Sequence, residues 1–287
     1  MLTAILGLCT ALSYGAADFF AALAARRMRV VIVTCAASLS GLILLLLLLP
    51  IMGASFSQEA IFWGFLGGIS SIVALLALYA SLALGPISIV SPLGALLSAI
   101  VPAAVGVALL GERFSGLGWV AIALALIAVV LVGFVPGENV QLPKPRAIVL
   151  AMIAGTGIGL AVVSLARSPQ DSGIGPIIVM RTTAFVLLGV IVLLSVLRKS
   201  ATAEIKQQGP KLWVLVASAG ALDATANIFF TLASRSGSLT VTGVLTALYP
   251  LGTILLARLV LKEKVATVQK IGIALTLVAS LILALAK

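Results

Sequence analysis

The sequence predicts an all-α integral membrane protein with ten transmembrane helices in two inverted five-helix repeats, and three observations predict it. Composition is the first: of 287 residues, 62% are hydrophobic and 9% charged, with a mean hydropathy of +1.30, against about 45–50% and about 25% in soluble domains. Spacing is the second, because apolar runs of the length that crosses a bilayer as a helix, about 20 residues, follow one another between short breaks. An internal repeat is the third. Trp63 recurs as Trp213, Ala83 as Ala233 and Ser88 as Ser238 at a shift of 150 residues, and Glu112 recurs as Glu263 at a shift of 151.

Hydropathy and helix breakers place the elements in order near residues 2–24, 30–50, 60–84, 88–110, 116–135, 146–166, 175–197, 211–234, 239–261 and 266–286. The start, Met1-Leu2-Thr3, lacks a basic segment and its apolar stretch outlasts a secretory signal, so it is expected to stay as the first span. Arg26-Arg27 closes that span. The second carries the uniformly apolar run Ile43–Leu49, expected to face lipid, and is expected to end at Pro50. Gly64 with Gly68 in the third, and Gly155 with Gly159 in the sixth, have the small-residue spacing that lets helices approach closely. Gly85-Pro86, Gly111-Glu112, Pro169 to Gly175, Arg198 to Pro210 and Gly237 mark further breaks. The repeats cover 1–136 and 146–287, with 137–145 as linker, a run opened by Pro136 and closed by Pro145. Five spans per repeat is odd, so the second repeat must lie upside down relative to the first.

The fourth and ninth helices are expected to be broken or softened, by Pro92, Gly94 and Pro102 in one and Gly243, Pro250 and Gly252 in the other. A proline removes a backbone donor and frees a carbonyl, which membranes tolerate beside a neighbouring helix or a wet cavity. Pro92, Pro102, Gly243 and Pro250 are therefore candidate gating positions, with Tyr79, Ser91, Ser98 and Tyr249 as polar contributors to a cavity wall.

The charge of +10 arises from 18 Lys and Arg against 8 Asp and Glu. These cations sit in short loops, where lipid phosphate is the expected partner and nucleic acid is not. Arg113, Arg167, Arg235 and Lys287 fall on one set of ends, and the other thirteen apart from Arg181 fall on the opposite set. The positive-inside rule makes the second set cytoplasmic and puts both termini outside. The chain has no histidine, which removes Ser-His-Asp catalysis, histidine metal sites and imidazole proton relays. Cys9 and Cys35 lie within apolar segments without metal or redox spacing and read as small core residues. No metal and no cofactor is expected; the absence of a Gly-x4-Gly-Lys-Ser/Thr loop removes direct use of ATP.

Charges inside spans cost about 2.5–3.5 kcal/mol on insertion scales and mark cavities or pairs. Asp223 is mid-span, and Asn227 and Thr231 follow at four-residue steps, giving one polar helix face for a cavity or for helix-to-helix hydrogen bonds. Asp18 shares a face with Tyr14, four residues earlier, and either joins such a stripe or pairs with Arg26 or Arg27. Arg181, a few residues into the seventh helix, needs Asp223, Asp18 or an anionic substrate, unless it snorkels to the interface. Glu112 and Glu263 end matched spans beside cations and are assigned first to interfacial salt bridges and helix entry, and only second to gating.

The stretch Ser238–Pro250, followed by Glu263 and Gln269–Gly272, resembles the closing half of an EamA-type repeat of the drug/metabolite transporter superfamily. Tyr14–Phe20 and Asp223–Asn227 are similar to one bacterial branch of it, and the resemblance spans the chain in two copies. There are two departures: Ala99 stands where Pro250 has its first-half counterpart, and Cys35 stands opposite Arg181. The resemblance implies ten helices around a central cavity and export of small metabolites or drugs across a bacterial inner membrane. Alternating access between inverted halves would supply the mechanism. Both signs of buried charge suit a zwitterion such as an amino acid. If protons couple transport, Asp223 is the first carrier and Asp18 the second. A channel or scaffold, or a membrane-embedded lipid enzyme, are the competing classes, and monomer and homodimer are both open.

Overall fold

Among the described residues, eleven α-helices lie where the sequence predicts ten spans. A computed structural model describes residues 1–84, 87–133, 144–198, 208–260 and 266–285, leaving aside the side chains of 79, 82, 83, 87–92, 133, 257, 258, 284 and 285. The helices are Leu2–Ala25 (α1), Val30–Met52 (α2), Gln58–Leu84 (α3), Ile87–Leu109 (α4), Gly116–Gly133 (α5), Pro145–Arg167 (α6), Gly175–Leu197 (α7), Pro210–Ser236 (α8), Leu239–Thr246 (α9), Pro250–Val260 (α10) and Thr267–Leu285 (α11). Seven helical segments are long and apolar enough to cross a bilayer, and three shorter apolar ones accompany them among the described residues. The protein is an all-helical, multi-pass membrane protein.

Proline positions explain where boundaries moved. Pro145 and Pro210, read as loop residues, instead open α6 and α8, because the first helical residue has no use for a backbone donor. Pro50 lies inside α2, and the helix ends only at Gly53, whose φ of 67° is open to glycine without strain. The fourth span is continuous across Pro92 and Pro102, and the Pro102 ring packs against Gly243, where an added Cβ would come within 2.4 Å of Cγ. The ninth span does break. Around Pro250 the chain tightens into i→i−3 bonds, with Leu248 N donating to Leu245 O, Tyr249 N to Thr246 O and Gly252 N to Tyr249 O, since the missing proline donor interrupts the α ladder.

Small residues bring the helices into contact. A Cβ at Gly64 would stand 2.6 Å from Pro176 O, at Gly68 2.7 Å from Thr183 Cβ, at Gly155 2.3 Å from Gly94 O and at Gly159 2.6 Å from Val101 Cβ. Both spaced glycine pairs therefore seat a neighbouring helix backbone, which is where membrane helices gain dispersion contact. The Ile43–Leu49 run does not face lipid throughout: Leu46 and Leu47 are exposed, but Leu45 is fully buried in the core between α2, α6, α7 and α8. Cys35 is buried and Cys9 half-buried.

Packing between the first and second halves is reciprocal. α1 lies on α8 as α3 lies on α6, α2 lies on α8 as α3 lies on α7, and α4 lies on α6 as α9 and α10 lie on α1. The pairs α2 with α7, α4 with α9 and α5 with α11 complete the bundle.

One end of the bundle is closed by polar links. Thr3 Oγ1 donates to Ser236 O at 3.3 Å, and Ser55 N donates to Ser172 O at 3.1 Å beside an isolated bridge between Ala54 and Gly173. Arg235 donates to Pro169 O at 2.9 Å, Ser172 Oγ at 2.9 Å and Gly173 O at 3.1 Å. Glu112 corrects its expected role. Among the described residues its carboxylate meets the α9 N-terminus rather than a cation, accepting from Ser238 Oγ at 2.7 Å, Leu239 N at 2.5 Å and Thr240 N at 3.0 Å. A helix N-terminus presents unpaired donors and partial positive charge, so a carboxylate is its natural partner. Glu263 lies outside the described residues. At the opposite end, Gln208 Nε2 donates to Arg27 O at 3.3 Å.

Candidate functional site

A cavity of about 150 Å³ lies between the two halves, room for on the order of ten waters or a small metabolite. Its walls come from α1, α2, α3, α4, α6, α7, α8, α9 and the joint before α10. The contributions of α1 (Tyr14 to Ala21), α2 (Val33 to Ser38) and α3 (Ser71 to Leu78) lie in the halves of those helices remote from Glu112, whereas those of α6 (Ile158 to Val162) and α7 (Met180 and Arg181) lie in the halves nearer it, so the cavity is centred near mid-bundle and extends to Ala21 and Val33, close to the Arg26-Arg27 end.

Helical periodicity aims the polar groups. On α1, Tyr14, Ala17, Asp18 and Ala21 recur at three- and four-residue steps and share the cavity face. On α8, Ala219, Asp223 and Asn227 do the same. Alanines between the polar groups leave the space open.

An ionic and hydrogen-bonded chain crosses between the halves. Arg181 Nη2 forms an ion pair with Asp223 Oδ2, their side chains 12% and 28% exposed. Asn227 Nδ2 donates to the Asp223 carbonyl oxygen at 2.7 Å, and Tyr14 Oη donates to Asn227 Oδ1 at 2.9 Å. Arg181 thus finds its partner in Asp223 and does not snorkel. Among the described residues its Nε stays buried without an acceptor, and the Thr246 hydroxyl is buried without a partner.

Asp18 is placed differently. It is exposed to the cavity and, among the described residues, takes part in no hydrogen bond or ion pair, so the alternative pairing with Arg26 or Arg27 is not formed. Tyr249 reaches the same cavity from the tightened joint, and that joint is pressed on α1, where a Cβ at Gly15 would come within 2.2 Å of Tyr249 O. Thr253 Oγ1 also donates to Gly15 O at 3.0 Å.

Of the residues singled out from sequence, Tyr14, Asp18, Ser98, Arg181, Asp223, Asn227 and Tyr249 meet in this cavity. Thr231 does not: it is buried among helices and its Oγ1 donates to Asn227 O at 2.8 Å, serving the backbone of α8. The side chains of Tyr79, Ser91 and Pro92 lie outside the described residues. Pro102 and Gly243 are packing partners, and Pro250 opens α10. Thr246, Thr34, Ser38 and Ser71 line the cavity without having been singled out; small hydroxyls are common in apolar helices, and nothing in the sequence separates these from their packed counterparts. No group of three or more His, Cys, Asp or Glu comes together among the described residues.

Comparison with known proteins agrees with this architecture. The model of the EamA-like transporter family matches twice, over residues 1–134 and 145–285. No curated protein matches the chain. A solved structure described only as "Crystal structure of protein" is similar over 96% of both chains, with a TM-score of 0.69 at 16% identity, a likeness of fold. Two matches that together span nearly the whole chain place it plainly: the protein belongs to the EamA-like transporter family.

Proposed function

We propose that the protein is a secondary transporter that exports small metabolites or drugs across a bacterial inner membrane by alternating access between two inverted five-helix halves. The observation that carries this reading is the cavity between the halves, holding Asp18, Asp223 and Arg181 near mid-bundle and lying away from a polar closure at one end. The reciprocal packing of the halves is what a twofold axis produces. The end links put the start of α1 and the finish of α6 at the same end, so these first helices of each half run in opposite senses. Such an arrangement allows two equivalent conformations around one central site.

Both signs of charge in the cavity suit a zwitterion such as an amino acid: an ammonium group faces Asp18, and a carboxylate competes with Asp223 for Arg181. Asp18, uncommitted to any cation, takes the first place as proton carrier ahead of Asp223, which Arg181 occupies. Counterflow in proteoliposomes tests the reading, with a panel of unlabelled amino acids and cationic drugs inside and labelled tracer outside, with and without a pH gradient. Saturable tracer entry, lost in Asp18→Asn and Asp223→Asn, is the expected result. Non-saturating flux, or none for any compound in folded protein, overturns it.

A further inference from the structure

A second polar contact between the halves lies outside the cavity. Glu112, in the corner between α4 and α5, gives both carboxylate oxygens to the N-terminus of α9, accepting from Ser238 Oγ, Leu239 N and Thr240 N. Ser238 Oγ in turn accepts from Val241 N at 3.2 Å, and Thr240 Oγ1 donates to Ala103 O at 3.2 Å. The carboxylate fills the room that a side chain at Gly106 would need, where a Cβ would come within 2.4 Å of Oε2. α4 and α5 belong to the first family match and α9 to the second, so each of the carboxylate's bonds to α9 spans the two halves. The C-terminal end of α9 is Thr246, whose hydroxyl has no partner among the described residues and which lines the cavity three residues before Tyr249.

From this geometry we infer that Glu112 is the latch of the closed end: its carboxylate on the α9 N-terminus holds that end shut and sets the position of Thr246 and Tyr249 in the cavity. This rests on the alternating-access reading. Opening that end requires α9 to leave the α4–α5 corner, and doing so breaks three hydrogen bonds to one charged acceptor, each stronger than a neutral bond. Glutamine at 112 keeps the shape but turns one acceptor into a donor pointed at backbone N–H groups. Glu112 is a positioning residue, since it touches the cavity only through α9.

The test reads access to the cavity from each membrane face. In full-length protein with Cys9→Ala and Cys35→Ala, the cavity residue Ser71, which keeps part of its surface open, is replaced as Ser71→Cys to serve as the reporter, and a membrane-impermeant maleimide is applied to vesicles of both orientations. With Glu112 intact, labelling is expected from the Arg26-Arg27 face alone. Glu112→Gln is expected to raise labelling from the Glu112 face by about tenfold or more, the effect of losing one charged hydrogen bond. Ser238→Ala, which keeps the carboxylate but removes one hydrogen bond to it, is also expected to raise it about tenfold, and stands as the test if Glu112→Gln does not fold. Unchanged labelling from the Glu112 face in a folded variant overturns the latch. Counterflow measured on the same vesicles separates the two readings: labelling that rises without any counterflow keeps the latch as a seal and removes the transporter.

Discussion

Replacing Asp223 by asparagine leaves Arg181 as a guanidinium in the protein interior with no carboxylate and with a buried Nε already lacking an acceptor among the described residues. Removing one member of a fully buried ion pair costs about 3–5 kcal/mol. Here the two side chains keep 12% and 28% exposure toward the cavity, and water there screens the orphaned charge, so about 2–3 kcal/mol is the expected loss for Asp223→Asn. Arg181→Met should cost a similar amount by stranding Asp223. The double variant Arg181→Met/Asp223→Leu removes both charges, and its loss should fall well below the sum of the singles, with a coupling energy of about 2 kcal/mol. Asn227 is unaffected as a packing element, because its amide donates to the backbone carbonyl of residue 223, which no substitution removes. The assay is unfolding in mixed dodecyl maltoside and SDS micelles, followed by tryptophan fluorescence. Additive losses within about 0.5 kcal/mol would refute the pairing argument. Counterflow adds a second reading, since the double variant is expected to fold and yet not transport.

Two further outcomes follow from packing. Gly155→Val should destabilise by about 1–3 kcal/mol in the same assay, because its Cβ would come within 2.3 Å of Gly94 O, whereas Gly209→Ala, with no atom within 4 Å, should be silent. Pro250→Ala restores the backbone donor that α9 and α10 lack at their joint; counterflow should fall about tenfold while the unfolding midpoint holds or rises, and unimpaired counterflow would show that the joint is not a hinge.

Much of the architecture was legible beforehand because the bilayer restricts the answers. Backbone groups in hydrocarbon must pair within their own segment, so an apolar run of sufficient length is a helix whatever surrounds it. α7, at Gly175–Leu197, lies where hydropathy put it. The polar stripe on α8 was visible as four-residue spacing, and Asp223 and Asn227 do face a cavity. The end of the same stripe misled, since Thr231 has the right spacing but bonds to its own backbone: periodicity gives the face of a helix and not what lies opposite each turn.

Glu112 shows the same limit more sharply. Its neighbours in the chain are a glycine and an arginine, and a local reading assigns it to a salt bridge; its partners are 126 to 128 residues away. Nor could spacing say that Pro250 breaks its helix while Pro102, its ring packed against Gly243, does not, because that depends on what the fold places beside each proline. Composition, span number, the repeat and the carriers of buried charge are properties of the chain, set by the cost of placing each group in hydrocarbon. Which carboxylate is paired, which is free, and which end is shut are properties of the assembled bundle: ion pairs and caps act over a few ångströms, and only folding brings Asp223 to Arg181 and Glu112 to α9 while leaving Asp18 open to the cavity.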